Sequence, residues 1–481
     1  TTKEGYINLE HNTNQSLNAQ LFFNDESDFF ISFLDNYYMS NKDFLKYLFF
    51  EKDDDVFRPE QFDLKYNRPD IVLERLSFSN PKLVAALKKV YQKRLKKNDV
   101  EDASFLSTNT LPELTIVDKF NVPTIISEKS IAINIDAKDS QTKLDTLKIW
   151  INDVPIAPLN KNITSINSFE YKETLNLSLA LGANKIQVSV VNKKGLESLK
   201  ETVIIECTEG KEKPDLYLIS IGVSEYVNKD YNLKYATKDA KDVVNQFLKS
   251  SLYENVNTNI VTDSEVTKEN ISTINGFLKP AKIDDVVIVF IASHGLLDKE
   301  YNYYLASHNI DFNNPEENGI PFDLVEKQLE NILPLKKIMF IDACHSGEVD
   351  VDEVLVKSKK NIKNIKRRGT ITIESKDKSL SEIVSLSKAL FSDLRRGNGT
   401  TIISSAGGLE FAFEGDEWKN GLFTYCLLNG ISSSKADLNA DGKIMLSELQ
   451  NYVYKEVAKL SDGRQTPTSR LENSAIDYRI W

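Results

Sequence analysis

Val287-Ile-Val-Phe-Ile-Ala-Ser-His294-Gly295 and Ile338-Met-Phe-Ile-Asp342-Ala-Cys344-His345-Ser-Gly347 decide the fold of this chain. Each begins as a nearly continuous apolar run, which is what a parallel strand covered on both faces requires. Each ends in small and reactive residues, where such a strand meets solvent. Working outward, Asp215 to Gly222, Thr258 to Val261, Asp285 to Ala292, Lys337 to Asp342 and Thr400 to Ser404 read as strands. Helical patterns lie between them at Asp239 to Ser250, Lys268 to Phe277 and Phe322 to Asn331. Strand–helix alternation of this kind predicts an α/β domain over residues 213–481, a doubly wound, mainly parallel sheet.

Ligands of open α/β sheets bind beyond the carboxyl ends of the strands. If the two quoted strands are neighbours, His294 and Cys344 face each other there. A thiolate is a nucleophile, and an imidazole beside it promotes ionisation and later protonates a leaving amine. Gly295 and Gly347 admit a substrate backbone, and the Gly295 N–H is placed to stabilise an oxyanion. Taken singly, a cysteine after an apolar strand is a small buried hydrophobe and a histidine is a core residue. The pair reads differently. The chain has only 4 His, and one lies at a strand end about 50 residues upstream of a cysteine in the same setting, a spacing known from cysteine peptidases. His345, adjacent to Cys344 on a strand end, is expected to point away from it.

The pattern changes upstream. From Leu111 to Glu209 short alternating strands (Ser130 to Asp136, Thr146 to Ile151, Asn184 to Val191, Thr202 to Cys207) are separated by turn residues such as Asn152-Asp153 and Lys194-Gly195. About 100 residues of this kind predict a β-sandwich of immunoglobulin-like type over 111–212, with Cys207 packed in its core. Residues 80–110 read as a linker helix: Asn80 is the cap, Pro81 the first position, and the amphipathic pattern runs to about Lys96. Residues 1–79 are β-rich, with aromatic stretches Leu21 to Phe33 and Phe44 to Phe50 expected as strands.

Composition narrows the function. The 481 residues suggest about three domains. The formal charge of −11 gives no reason to expect nucleic acid or an anionic membrane as partner, and no apolar run approaches the roughly 18 residues that span a bilayer. Three cysteines (Cys207, Cys344, Cys426) make no disulfide framework, and neither CxxC nor paired Cys/His spacing supplies a zinc site. A cytoplasmic location fits. No secretory signal is visible, and the start at Thr1 without Met leaves room for a missing native N-terminus.

Ser293-His294-Gly295 and Asp342-Ala-Cys344-His345-Ser-Gly347 resemble the two catalytic signatures of the caspase and metacaspase superfamily, in its bacterial branch. The resemblance runs from about Pro214 to the C-terminus and includes Leu233 to Ala240, Gly421-Leu-Phe-Thr-Tyr425 and Gln465-Thr466-Pro467. It implies a cysteine endopeptidase working by a Cys344–His294 dyad, with no cofactor required for the chemistry. Animal caspases have Gln two residues before the cysteine and Arg after it. This chain has Asp342 and His345, the metacaspase pattern. There the acid two before the cysteine shares the specificity pocket with one from the first strand–helix junction, matched here by Asp239. Two carboxylates select a cation, so cleavage after Arg or Lys is expected. The competing reading of Asp239 is a helix N-terminal acid interacting with the macrodipole.

Lys357-Ser-Lys-Lys-Asn-Ile-Lys-Asn-Ile-Lys-Arg-Arg-Gly369 follows the catalytic strand. On composition it is a solvated basic loop. For a peptidase that cuts after basic residues it is also a substrate, and relatives in the resembled family are often processed in this region. Lys366, Arg367 and Arg368 are the expected self-processing positions. Asp437-Leu-Asn439-Ala-Asp441-Gly442-Lys443-Ile-Met-Leu-Ser-Glu448 fits the twelve-residue EF-hand loop, so calcium is a possible ligand there. Phe57 to Val72 resembles a segment of bacterial caspase-like proteins that joins an N-terminal WD-repeat propeller to immunoglobulin-like and peptidase domains. Residues 1–79 are then either a remnant of the last blade or a small irregular domain. They and the sandwich are expected to bind a protein partner or position a protein substrate. Two further readings stay open: a non-catalytic scaffold or sensor using a caspase-like docking module, and a peptidase specific for Asp.

Overall fold

In the computed structural model, the residues described are 6–9, 19–23, 29–40, 44, 48–52, 55–57, 59–76, 81–97, 111–156, 166–210, 213–298, 302–343, 365–367, 398–406, 412–470 and 477–481. Among them no helix is long and apolar enough to cross a membrane.

The N-terminal portion is an antiparallel meander of β1 (Tyr6–Leu9), β2 (Ala19–Phe23), β3 (Phe29–Phe33) and β4 (Tyr38–Ser40), then a hairpin of β5 (Phe50–Lys52) and β6 (Asp55–Phe57). The expectation of a strand over Phe44 to Phe50 needs correction. Phe44 is helical and Phe50 opens β5. Phe44 instead packs flat on Phe30, ring centroids 5.7 Å apart, so its aromatic character serves a cluster rather than a sheet. Helices Pro69–Leu76 and Pro81–Lys97 follow, the second as predicted. Tyr91 and Leu95 of that helix pack with Leu64 and with Leu196 of the sandwich. Lys93 Nζ donates to Asn302 Oδ1 at 2.6 Å, so this helix also touches the C-terminal domain.

Two sheets form the middle. One carries β7 (Glu113–Ile116), β9 (Ser130–Lys138) and β12 (Glu170–Ser178), and the other β8 (Ile125–Ile126), β10 (Leu144–Ile151), β11 (Val154–Pro155), β13 (Gly182–Asn192) and β14 (Glu201–Cys207). Alternate residues point inward, giving a core of Ile133, Ile135, Leu175, Leu177, Ile149, Val188 and Ile205. Cys207 is buried in it, as expected.

The C-terminal domain holds the sheet read from the sequence. Its strands are β15 (Leu216–Gly222), β16 (Val256–Thr262), β17 (Val286–Ala292), β21 (Lys336–Asp342), β23 (Thr400–Ser404) and β26 (Thr468–Arg470), in the order β16-β15-β17-β21-β23-β26. All neighbours are parallel except β26. Strands β15, β17 and β21 are buried almost throughout, which accounts for their unbroken apolar runs. A small sheet of β18 (Gly295–Leu297), β19 (Tyr303–Leu305) and β20 (Ile320–Pro321), and another of β22 (Ile365–Arg367), β24 (Phe413–Gly415) and β25 (Asn420–Gly421), complete the set.

Helix Ala236–Phe247 begins one turn earlier than its apolar pattern suggested. It lies close on β15: a Cβ at Gly222 would stand 2.6 Å from Ala236 O and 2.9 Å from Ala240 Cβ. The helix expected over Lys268 to Phe277 is broken into Lys268–Ser272 and Ile274–Leu278. Thr273 marks the break, its hydroxyl donating to Asn270 O at 2.7 Å and competing with the helical ladder.

The sandwich docks at the amino ends of the central strands. Ile283 and Leu335, just ahead of β17 and β21, join its core, and Leu181 N donates to Asp284 Oδ1 at 3.0 Å. Gly399, ahead of β23, has φ +76° and abuts Val154, where any side chain would collide. Strands of seven residues separate this interface by about 20 Å from the carboxyl ends.

Candidate active site

At the carboxyl edge the register aligns the ends of the central strands. Gly222 pairs with Ala292, and Ala292 with Asp342. His294 lies two residues beyond Ala292, and Cys344 follows Asp342 by the same interval in sequence. Cys344 itself, with His345 and Gly347, lies outside the described residues.

His294 is 3% exposed. Its Nε2 stands 2.8 Å from the Tyr231 carbonyl oxygen. A carbonyl only accepts, so Nε2 carries a proton, and in the neutral ring Nδ1 is then the basic nitrogen. The ring is held among Tyr226, Tyr231 and Phe312, at centroid distances of 5.2, 6.3 and 5.7 Å. Tyr231 and Phe312 stack on each other at 3.7 Å. The backbone is fixed too: His294 N donates to Tyr226 Oη at 3.2 Å, and that hydroxyl donates to Val223 O at 3.2 Å. Tyr231 ends a 3-10 turn capped by the Asn228 side chain. Its carbonyl is a partner that no residue-type search could reveal, because every residue has one.

Gly295 opens β18 opposite Leu305. Ala306 N donates to His294 O at 2.9 Å. In an antiparallel ladder that bond makes Gly295 and Leu305 a non-hydrogen-bonded pair, so the Gly295 N–H points away from β19. It is not consumed by the hairpin it begins.

Asp342 and Asp239 are both fully buried. Asp342 Oδ2 accepts from Thr424 Oγ1 at 2.5 Å and Thr424 N at 3.3 Å. Asp239, in the first turn of helix Ala236–Phe247, accepts from Asn420 Nδ2 at 2.7 Å and Gly421 N at 3.0 Å. The two carboxylates thus grip one short piece of chain, β25 and the start of helix Leu422–Ser432. The Gly421-to-Tyr425 motif is this piece. Asn420 and Thr424 are site-building residues that sequence reasoning did not assign.

Strand β24 forms the rim. Lys234 N and Tyr235 N donate to the buried Glu414 carboxylate at 2.7 and 3.2 Å, while Tyr235 Oη donates to Asp416 at 2.5 Å and Lys234 pairs with the same acid. The bond to Asp416, then burial, raises the Tyr235 pKa above the usual tyrosine value. Gln465, fully buried, bridges β24 to the end of β23. Its Oε1 accepts from Phe413 N at 3.0 Å and its Nε2 donates to Ser405 O at 2.8 Å. Ser405 Oγ in turn donates to Ala343 O at 3.2 Å, on the residue before Cys344. This is the physical content of the Gln465-Thr466-Pro467 motif.

Of the basic segment, the backbone of Ile365–Arg367 is described as β22, antiparallel to β24, with Lys366 opposite Glu414 and Arg367 opposite Phe413. Arg368 and Lys357 to Asn364 lie outside the described residues. The Asp437-to-Glu448 loop turns its oxygens on its own backbone. Asp437 accepts from Asp441 N and Gly442 N, Asn439 from Asp441 N, and Asp441 from Lys443 N. Glu448 accepts from Leu438 N, Asn439 N and Met445 N, capping helix Leu446–Leu460. Among the described residues no three His, Cys, Asp or Glu side chains gather as a metal-binding group. The cleft between β10 and helix Phe322–Gln328, about 590 Å³ and lined by Trp150 and Glu326, contains none of the candidate site residues.

A family model described as a caspase domain matches residues 217–474, more than half the chain. The crystal structure of protein GSU0716 from Geobacter sulfurreducens is similar at 15% identity, over 53% of this chain and 93% of that one, with a TM-score of 0.37. No curated protein matches the chain.

Proposed function

The chain belongs to the caspase-domain family, and we propose that it is a cysteine endopeptidase with Cys344 as nucleophile and His294 as base. The observation that carries this reading is the Nε2 bond from His294 to the Tyr231 carbonyl at the end of β17. It presents Nδ1 as the proton acceptor on the strand adjoining the one that leads to Cys344.

In this reading the Cys344 proton passes to His294 Nδ1, and the thiolate adds to the scissile carbonyl. The Gly295 N–H stabilises the oxyanion. The imidazolium returns its proton to the departing amine, leaving an acyl-enzyme that one water hydrolyses with His294 again as base. The Tyr231 carbonyl stabilises the imidazolium through Nε2–H while keeping the ring oriented, the task a third catalytic group performs elsewhere.

Specificity for Arg or Lys rests on Asp342 and Asp239. Both are buried at the carboxyl end of the sheet, where they accept from Thr424, Asn420 and Gly421. A substrate guanidinium or ammonium would meet two negative charges; an Asp would be repelled. Self-processing after Lys366, Arg367 or Arg368 belongs to the same proposal. The sandwich and N-terminal portion, which the sequence likens to immunoglobulin-like and propeller-derived modules, would serve partner binding, in a cytoplasmic bacterial setting. No step runs through calcium at Asp437, Asn439, Asp441, Lys443 and Glu448, whose oxygens hold the loop itself.

The test is hydrolysis of fluorogenic peptides ending in Arg, Lys or Asp by wild type and Cys344→Ala, with calcium and with chelator. Turnover of Arg or Lys peptides, abolished in the variant, supports the proposal. Turnover of Asp peptides would overturn the specificity, and turnover surviving in Cys344→Ala would overturn the nucleophile. A chain inert throughout favours the scaffold reading.

A further inference from the structure

We infer that Asp263 is a positioning residue for His294: its carboxylate fixes the loop that brings both the Tyr226 hydroxyl and the Tyr231 carbonyl to the imidazole. The inference rests on the peptidase reading above, in which His294 is the base.

Asp263 directly follows β16, whose last residue, Thr262, pairs with Gly222 at the end of β15. The chain leaves β15 there and runs from Ser224 to Leu233 before it enters helix Ala236–Phe247. Asp263 Oδ1 accepts from Ser224 N at 2.8 Å and from Glu225 N at 2.9 Å, the first two donors of that loop. Thr237 Oγ1 lies 2.9 and 3.0 Å from the two carboxylate oxygens, and Thr237 N donates to Ser224 Oγ at 2.9 Å, so the first turn of the helix joins the same clamp. The backbone points the same way. Asp263 has φ +48°, a left-handed conformation that Asp tolerates better than most residues but that still costs free energy. Such a conformation persists where the surrounding structure determines it, and the bonds to Ser224, Glu225 and Thr237 are what it gains here.

The residue after the clamp is Tyr226. Its ring is 5.2 Å from that of His294, its hydroxyl accepts from His294 N, and its own N–H donates to Asn232 Oδ1 at 2.8 Å. Asn232 adjoins Tyr231, whose carbonyl holds His294 Nε2. Leu233 N closes the loop by donating to Ser224 O at 2.9 Å. Both groups that seat the ring therefore belong to one closed loop whose first residues hang on Asp263. On its far side the loop keeps other bonds: Val227 N donates to His308 O at 3.0 Å, and His308 Nδ1 lies 2.6 Å from Glu225 O. Loss of the carboxylate should thus shift the loop rather than release it. A catalytic group misplaced by about 1 Å can cost about 100-fold in rate, so a partial shift is expected to lower kcat about tenfold. Helix Ala236–Phe247 is held separately, through Asp239 to Asn420 and Gly421, so substrate binding should change little.

The first measurement needs no activity. In the full chain carrying Cys344→Ala, long-range proton–nitrogen NMR correlations report the tautomer of His294 at neutral pH, with His294→Gln identifying its signals. Asp263→Gly removes the carboxylate yet accepts φ +48° without strain, so only the bonds are lost. Asp263→Ser, whose hydroxyl has a shorter reach, is the second loss variant and carries the same expectation. Asp263→Asn keeps an acceptor oxygen and tolerates the left-handed backbone. A fixed Nε2–H tautomer is expected with Asp263 and with Asp263→Asn, and exchange-averaged signals with the loss variants. A change that merely destabilised the domain would leave the tautomer of the folded chain fixed. A fixed tautomer in every chain overturns the inference; averaged signals in every chain overturn it together with the Tyr231 bond on which the base rests. The second measurement is kinetic, on an Arg peptide with Cys344 intact and active sites titrated. Asp263→Gly should lower kcat about tenfold with KM within about twofold, and Asp263→Asn should restore kcat to within about threefold of wild type. A change confined to KM, or equal kcat in wild type and Asp263→Gly, overturns the inference and leaves the peptidase reading standing. No hydrolysis by any chain, wild type included, overturns the peptidase reading, and the ring signals then decide by themselves whether Asp263 positions His294.

Discussion

Replacing Gln465 with Leu should cost the C-terminal domain stability and the proposed peptidase most of its activity, through the same two hydrogen bonds. The Gln465 side chain is fully buried and serves two backbone groups, the Phe413 N–H at 3.0 Å and the Ser405 carbonyl at 2.8 Å. Leu is close in volume, so no large cavity opens; what changes is that both backbone groups lose their partner. An orphaned buried polar group costs about 1–3 kcal/mol. Two of them, partly offset by the gain from burying an apolar side chain, give an expected loss of about 2–4 kcal/mol. The assay is urea unfolding followed at the C-terminal domain, with kcat/KM measured on Arg peptides. Gln465→Glu sharpens the reasoning. It keeps an acceptor for Phe413 N–H but sets a carboxylate against the Ser405 carbonyl, and it should be no milder than Gln465→Leu. A Gln465→Leu chain within about 0.5 kcal/mol of wild type, at unchanged slope, would show that this side chain does not hold β24 to the end of β23.

Four other outcomes are expected. Thr424→Val removes the 2.5 Å hydroxyl bond to Asp342 at nearly constant volume and should destabilise by about 1.5–3 kcal/mol, the range for a hydrogen bond to a charged group; a neutral effect in thermal unfolding would show that the carboxylate finds another donor. Gly222→Ala should cost about 1–3 kcal/mol by forcing helix Ala236–Phe247 off β15, and crystallography of that variant should find the helix displaced; a stable, unshifted chain contradicts the close packing. Burial pushes the Cys426 thiol far above the usual range and Cys207 is buried, so brief alkylation of native chain at pH 7 should mark Cys344 alone, as peptide mass spectrometry would report. The Tyr235–Asp416 bond raises the tyrosine pKa, so its contribution is complete below about pH 10 and is lost as pH rises through the higher folded value. Stability should therefore fall more steeply above pH 10 in wild type than in Tyr235→Phe, and parallel profiles would contradict this.

The sequence by itself determined most of the parallel sheet of the C-terminal domain. The apolar runs before His294 and Cys344 are legible because a strand buried on both faces is built largely of apolar residues, and β17 and β21 lie on those runs. The same signal failed at Phe44, where aromatic residues join a cluster rather than a strand, and at Thr273, where a local hydroxyl bond outweighs helical periodicity. Adjacency of β17 and β21 was a condition the sequence could state but not settle. Strand order depends on which helices cross which face, and one-dimensional patterning carries no record of that. The partners of the functional groups were hidden for a related reason. The Tyr231 carbonyl, the Gly295 N–H and the Phe413 N–H are main-chain groups common to every residue, so only their position in space gives them a role. Gln465 and Thr424 were visible as letters in short motifs, yet their work consists of bonds to residues 52 and 82 positions away. Tertiary structure alone decides such bonds, because burial makes each one obligatory once the chain has brought the two ends together.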